Sequence, residues 1–86
     1  MPKKLTKEGI IVLEMELALW QSEMKKRSKV PYASVEWLKH LEQAHRAYRI
    51  IQALTGLNIK HTDKLVNGEA KILDYWNADG TVRLQK

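Results

Sequence analysis

The segment from residue 10 to residue 20 restricts the possible fold more than any other part of this sequence. It reads IIVLEMELALW, and nine of its eleven residues are apolar. In an α-helix successive residues turn by about 100°, so the two polar residues, Glu14 and Glu16, lie roughly 200° apart. Such a helix has no fully polar side. We therefore expect it to be covered from two directions, once by its own chain and once by a second copy.

The first helix is predicted over about residues 7–27. Thr6 is a suitable N-cap, and Glu8 lies in the first turn, where the helix dipole favours an anion. One side carries apolar residues at alternating steps of three and four, the pattern of a packed helix seam: Ile10, Leu13, Leu17, Trp20 and Met24. A different side carries Val12, Met15 and Leu19.

The same segment also has the two-residue alternation of a β-strand. Leu13, Met15, Leu17 and Leu19 alternate with Glu14, Glu16 and Ala18. We favour a helix because β-branched residues, which strands prefer, stop after Val12.

A second helix is predicted over about residues 34–55. Pro31 disfavours helical geometry at the preceding residue, Ser34 is a suitable N-cap, and Gly56 fits the position after the last turn. Its core stripe consists of Trp37, Leu41, Ala44, Tyr48 and Ile51. The short connection predicts an antiparallel helical hairpin about 30 Å long.

The last thirty residues have a different pattern. Thr62 is predicted to cap a single helical turn, and Asn77–Gly80 fits a β-turn with glycine in the left-handed conformation. Segments 72–76 and 81–85 are predicted to pair around this turn as a β-hairpin over about residues 71–85. Asp74 is the one residue that disagrees with its apolar face. The predicted fold class is α+β, a long antiparallel helical hairpin followed by a small C-terminal β-hairpin, in a dimeric single domain covering 1–86.

Composition restricts the class of protein. The chain has no cysteine and a net charge of +5. The lack of cysteine excludes disulfides and thiol chemistry and is compatible with the reducing cytoplasm, where we expect the protein. The apolar run is too short to cross a membrane, and no cleavage site follows it, so we predict neither a membrane partner nor a targeting signal.

The predicted binding site is the basic region between the two helices. It comprises Lys25, Lys26, Arg27, Lys29 and Tyr32. Clustered cations gain affinity for a phosphate backbone by releasing counterions, and an adjacent tyrosine can stack on a base. The alternative is a solvated helix end whose lysines interact with the helix dipole.

Three further patterns are weaker. A winged helix-turn-helix requires a recognition helix longer than the single turn predicted near Thr62. Glu42 and His45 match a Glu-x-x-His metal motif, but Arg49 follows on the same side, which indicates a solvated position. The three histidines form no visible catalytic set, so we predict no catalytic residue, no metal and no cofactor.

The sequence therefore predicts a small non-catalytic, nucleic-acid-associated regulatory or accessory protein that binds the phosphate backbone of DNA or RNA through its basic hairpin tip. The alternative is a protein-binding adaptor or inhibitor that uses a helix face and exposed aromatic residues. Trp20, Trp37 and Trp76 are expected to be core residues, and any of them that is exposed would be the favoured anchor of a protein interface.

Overall fold

Two helices of equal length form the body of the protein. The computed structural model describes residues 2–83, in which α1 spans Lys7–Arg27 and α2 spans Val35–Thr55. Each helix has 21 residues and is therefore about 31 Å long. They pack against each other along their length, joined by residues 28–34. The predicted helical hairpin is confirmed, and so is the preference for a helix over a strand at residues 10–20.

The helix ends are formed by the predicted capping residues. The Thr6 hydroxyl accepts a hydrogen bond from the Gly9 N–H at 3.0 Å, and the Ser34 hydroxyl accepts one from the Trp37 N–H at 3.1 Å. Each satisfies a backbone donor that has no partner inside the helix. Gly56 ends α2 in the left-handed conformation, with a φ of 69°.

A third helix, α3, spans Ile59–Val66 and lies against both long helices. The predicted start at Thr62 is wrong, because the side chain of Asn58 caps the helix by accepting from the His61 N–H at 2.9 Å. Thr62 lies inside the helix and is buried, and its hydroxyl donates to the Asn58 carbonyl at 2.8 Å. Asparagine and threonine are both good N-cap residues, and Asn58, which precedes Thr62 in the chain, caps this helix.

The predicted C-terminal β-hairpin, and with it the α+β fold class, is wrong. Residues 2–83 contain three α-helices and no strand. Ile72–Asp74 instead forms a 3₁₀ turn, in which the Asp74 carboxylate accepts from the Lys71 N–H at 2.7 Å. Only the turn end of the hairpin forms, as a single antiparallel bridge between Trp76 and Val82. The predicted second strand also included Leu84 and Gln85, which lie outside the described residues.

The N-terminal segment runs between the end of α2 and this turn. The Lys3 N–H donates to the Thr55 carbonyl, and the Leu5 N–H donates to the Gly80 carbonyl, each at 2.7 Å. The indole N–H of Trp76 donates to the Lys3 carbonyl at 2.7 Å. We call this end of the molecule the base. Its buried side chains are Leu5, Leu57, Leu65, Val66, Tyr75 and Trp76.

Candidate nucleic-acid interface at the hairpin tip

The opposite end of the hairpin, residues 25–37, is here called the tip, and it contains an exposed aromatic ring. Tyr32 is 83% exposed and contacts Trp37 edge-on, with ring centroids 4.8 Å apart. The Arg27 guanidinium lies over the Trp37 ring, 5.0 Å from its centroid. A cation over an aromatic face is attracted by the ring quadrupole, so these three side chains form one connected cluster.

Three lysines of the tip have exposed side chains: Lys25, Lys26 and Lys29. The Lys26 ammonium lies 3.8 Å from an oxygen of the Glu23 carboxylate, and because Lys26 is mostly in solvent the pair contributes little to stability. Lys25, Lys26 and Arg27 belong to the last turn of α1, where the helix dipole favours cations. Four basic side chains therefore lie at the tip, and a second basic group, Lys3, Lys4 and Lys7, lies at the other end of the hairpin.

A hydrogen bond between side chains joins the two helices just below the tip. Nδ1 of His40 donates to Oε2 of Glu23 at 2.5 Å, so the Glu23 carboxylate is shared between this histidine and Lys26. Glu23 is mostly buried, whereas the Lys26 side chain remains 58% exposed. The contact fixes α1 relative to α2 and leaves the lysines directed into solvent.

The connection between the helices contains a strained residue. Ala33 has a φ of 59°, in the left-handed region that disfavours residues with a Cβ atom. The Ser34 N–H donates to the Pro31 carbonyl at 3.1 Å and closes the turn. Strain of this kind is found preferentially where a loop must hold a particular shape for function. Here the turn holds Tyr32 outward.

All five predicted site residues lie together at the tip, but they are not equivalent. The three lysines and Tyr32 are exposed, whereas Arg27 is half-buried and packs on Trp37. Trp37 was predicted as a core residue and is only partly buried, as the inner side of the aromatic cluster. The spacing of Arg27 and Trp37 in sequence gives no sign of this contact, because it depends on how the connection folds back.

The sequence did not indicate a groove on the outer side of α2. Its volume is about 440 Å³. It is lined by Leu38, Leu41, Glu42, His45, Arg46, Arg49 and Ile50. The available signal was the presence of Leu38 and Ile50 on an otherwise charged side of the helix, where each remains exposed.

The outward face of α1 is also apolar, as the two-sided pattern predicted. Leu13 is fully buried in the core, whereas Met15 is 65% exposed and Leu19 is 40% exposed. Ile11 and Val12 belong to the same exposed face. A patch of this kind on a small protein is typical of an interaction surface.

The possible metal ligands do not converge. Glu42 and His45 line the groove on α2, but the described part of the chain has no cluster of three or more His, Cys, Asp or Glu side chains around a common point. His61 lies in α3, and its Nδ1 is hydrogen-bonded to the Tyr75 hydroxyl at 2.8 Å.

Two tyrosines near the base have perturbed acidity. Burial and the carboxylate of Asp63, which accepts from the Tyr48 hydroxyl at 2.7 Å, raise the pKa of Tyr48 to about 12. Burial and the nearby charge of Asp74 raise the pKa of Tyr75. At the turn, hydrogen bonds from Thr81 lower the pKa of Asp79. These groups support the fold at the base and lie away from the tip.

Comparison with protein families, with curated proteins and with solved structures finds no match for this chain. None of the helices in residues 2–83 combines the length and the hydrophobicity needed to cross a bilayer.

Proposed function

We propose that this protein is a non-catalytic nucleic-acid-binding accessory protein that binds a single-stranded phosphate backbone through its tip. One observation carries the proposal. Three exposed lysines lie within seven positions of Tyr32 in the sequence, and the Tyr32 ring is 83% exposed and contacts Trp37. Cations beside an exposed aromatic ring are the combination that binds single strands without strong sequence preference.

Each type of side chain has a separate role in this proposal. Lys25, Lys26 and Lys29 contact phosphates and displace condensed counterions. Tyr32 stacks on a base that a single strand presents and that a duplex keeps inside its stack. Arg27 holds Trp37 and adds its charge to the tip. A chain without cysteine is stable to the reducing conditions of the cytoplasm, where we place this activity.

The salt dependence of binding tests the role of the lysines. For the parent protein, about four phosphate contacts give a log–log slope near −3 with a single-stranded oligonucleotide. Replacing Lys25, Lys26 and Lys29 together with glutamine should flatten the slope by about two units. The matched control replaces three exposed lysines away from the tip, Lys4, Lys7 and Lys60. It removes the same charge and should change the slope much less.

The role of Tyr32 is tested by comparing single and double strands. Tyr32→Ala should cost about 1–3 kcal/mol of binding free energy for a single strand, the usual loss of one base–aromatic stack. It should leave duplex binding and thermal stability unchanged. No binding of the parent protein to DNA or RNA at about 50 mM salt would reject the proposal.

A second candidate function, protein binding, is favoured by the groove on α2. Leu38 and Ile50 provide exposed apolar contacts, and Arg46 and Arg49 provide positive charge beside them. This combination fits an amphipathic segment with acidic residues from another protein. Replacing both arginines with glutamine should abolish such binding and leave oligonucleotide affinity at the tip almost unchanged.

The proposal includes self-association. The outward face of α1 stays exposed in the single chain, and a second copy is the occupant that we propose for it. The dimer would carry two tips, and a long single strand could contact both.

A further inference from the structure

We propose that α1 pairs with α1 of a second copy in antiparallel orientation, so that Glu8 of each chain faces Lys26 of the other. The inference deepens the proposed self-association and does not depend on nucleic-acid binding. In the dimer Lys26 would be engaged by Glu8 of the second copy, which leaves Lys25, Arg27 and Lys29 to contact phosphates. It is based on a seam of exposed residues along the outward face of α1. In order, they are Glu8, Val12, Met15, Leu19, Ser22 and Lys26.

The spacing of this seam is that of a coiled coil. Its steps alternate strictly between four and three residues, which keeps the seam facing a single partner helix. The buried seam of α1, which begins at Ile10 and Leu13, has the same spacing on the opposite side and is covered by α2 and the base. The helix therefore has two packing seams, of which the single chain covers one.

The charges at the ends of the exposed seam determine its orientation. Glu8 lies at the N-terminal end and Lys26 at the C-terminal end, eighteen positions apart, which is about five turns or 27 Å. A parallel pair would place Glu8 against Glu8 and Lys26 against Lys26. An antiparallel pair places each glutamate against a lysine. It also places Met15 against the partner's Leu19 in the apolar middle of the seam.

A second copy fits this surface better than an unrelated helix, because the seam is complementary to itself. Two-fold symmetry requires that one surface supply both halves of the contact. Here the negative end, the apolar middle and the positive end satisfy that requirement when one copy is inverted. The resulting dimer carries its two tips at opposite ends, so the basic regions are kept apart.

The first experiment couples contacting carboxylates to amines with a water-soluble carbodiimide, followed by peptide mass spectrometry. A Glu8–Lys26 cross-link is expected in dimer-sized material. It reports an intermolecular contact, because the two residues of one chain lie about 27 Å apart along the helix. Glu23–Lys26 coupling within the chain, across 3.8 Å, is the internal control.

The second experiment measures association by sedimentation equilibrium between about 1 μM and 1 mM, since five turns of helix form a small interface. The parent protein should approach twice its monomer mass of 10.0 kDa. Met15→Asp should raise the dissociation constant at least about a hundredfold, because the dimer would bury an unpaired charge. Ile59→Asp is the matched control, since Ile59 is 66% exposed, as Met15 is at 65%, but lies on α3.

Charge reversal tests the orientation. Glu8→Lys and Lys26→Glu should each weaken the dimer about tenfold, since symmetry changes two contacts at once. The double variant should recover most of the parent affinity. A monomer at every concentration would reject both the self-association and the pairing. A dimer that tolerates Met15→Asp, or lacks the Glu8–Lys26 cross-link, would reject this pairing and leave self-association standing.

Discussion

The two ends of the helical hairpin differ in how their aromatic side chains are used. At the base, Trp76 is fully buried and its indole N–H is bonded to the backbone of Lys3. At the tip, Trp37 is only partly covered, and Tyr32 beside it is exposed. Burial of a large aromatic side chain is among the strongest sources of stability, whereas an exposed ring stabilises little and remains available for contact.

This difference separates stability from binding within one short chain. The N-terminal segment, the end of α2, α3 and the final turn all meet at the base, so a change there affects several elements at once. The tip is formed by one connection and two helix ends. We therefore expect changes at the base to alter unfolding and changes at the tip to alter binding.

The largest loss of stability is expected from substitution of Trp76. Trp76→Ala removes a fully buried indole and leaves a cavity, which should reduce the free energy of unfolding by about 3–5 kcal/mol. Trp37→Ala, at the partly covered tip position, should cost clearly less. Urea unfolding followed by circular dichroism measures both. Equal losses in the two variants would show that the tip belongs to the core and would remove the distinction between the ends.

Alanine substitutions at two glycines are expected to give the next largest loss of stability. Gly80 has a φ of 94°, and a Cβ atom there would lie 2.3 Å from the Leu5 carbonyl oxygen. Gly68 has a φ of 78°, and a Cβ atom there would meet nothing within 4 Å. Gly68→Ala should cost about 1 kcal/mol from backbone strain alone, and Gly80→Ala at least about 2 kcal/mol.

The difference between these two alanine variants measures the contact between the final turn and the N-terminal segment. Thermal and urea unfolding are suitable measurements. If the two variants lose the same stability, the turn does not pack on Leu5 and does not belong to the base.

A smaller, pH-dependent effect is expected at Tyr48, which joins α2 to α3. Its pKa is raised to about 12, whereas an unfolded tyrosine titrates near 10. The folded state holds this proton more tightly, so the stability contribution is complete below about pH 10 and is lost as the pH rises towards about 12. The side chain is partly exposed, so we expect the effect to be below about 1 kcal/mol.

Comparison of the parent protein with Tyr48→Phe isolates this contribution from the titration of lysines and of Tyr75. The variant should lose less stability than the parent between about pH 10 and 12. Parallel pH profiles in the two proteins would mean that the hydrogen bond to Asp63 does not persist in solution.

The smallest effect on stability is expected from the charges at the tip. Replacing Lys25, Lys26 and Lys29 with glutamine should change the free energy of unfolding by well under about 1 kcal/mol per residue, because exposed charges at a helix end contribute little. The same variant should show the largest loss of oligonucleotide binding. A large loss of stability here would contradict the separation of the two ends.

Much of the helical hairpin could be predicted from the sequence, because its signals are local. Thr6, Ser34 and Gly56 act within a few residues of their own positions, and apolar spacing reports the helical period directly. The same local rules failed in the C-terminal part. Asp74, which disagreed with the predicted strand, is the residue whose carboxylate holds the 3₁₀ turn. In this turn Ile72, Tyr75 and Trp76 pack on the core, whereas Leu73 is 54% exposed.

The candidate site also has features that could be predicted from the sequence and features that only the structure shows. Lys25, Lys26, Lys29 and Tyr32 were identified from charge and composition alone, and their exposure follows from a position at the end of a helix or in a connection. The contact of Arg27 with Trp37 and the groove on α2 were not identified. Both depend on how side chains from distant positions, or from several turns of a helix, are arranged in space.

The sequence by itself determined two long helices, their capping residues and the two-sided apolar character of α1, because each is specified by neighbours within a few residues. Only the tertiary structure decided which seam of α1 is buried and that the turn at residues 77–80 packs on Leu5. It also decided that one tryptophan forms the core of the base while another supports an exposed tyrosine. These outcomes depend on contacts between residues as far apart as Lys3 and Trp76. A pattern of apolar residues shows that a surface must be covered, but the covering partner is selected only when the whole chain packs.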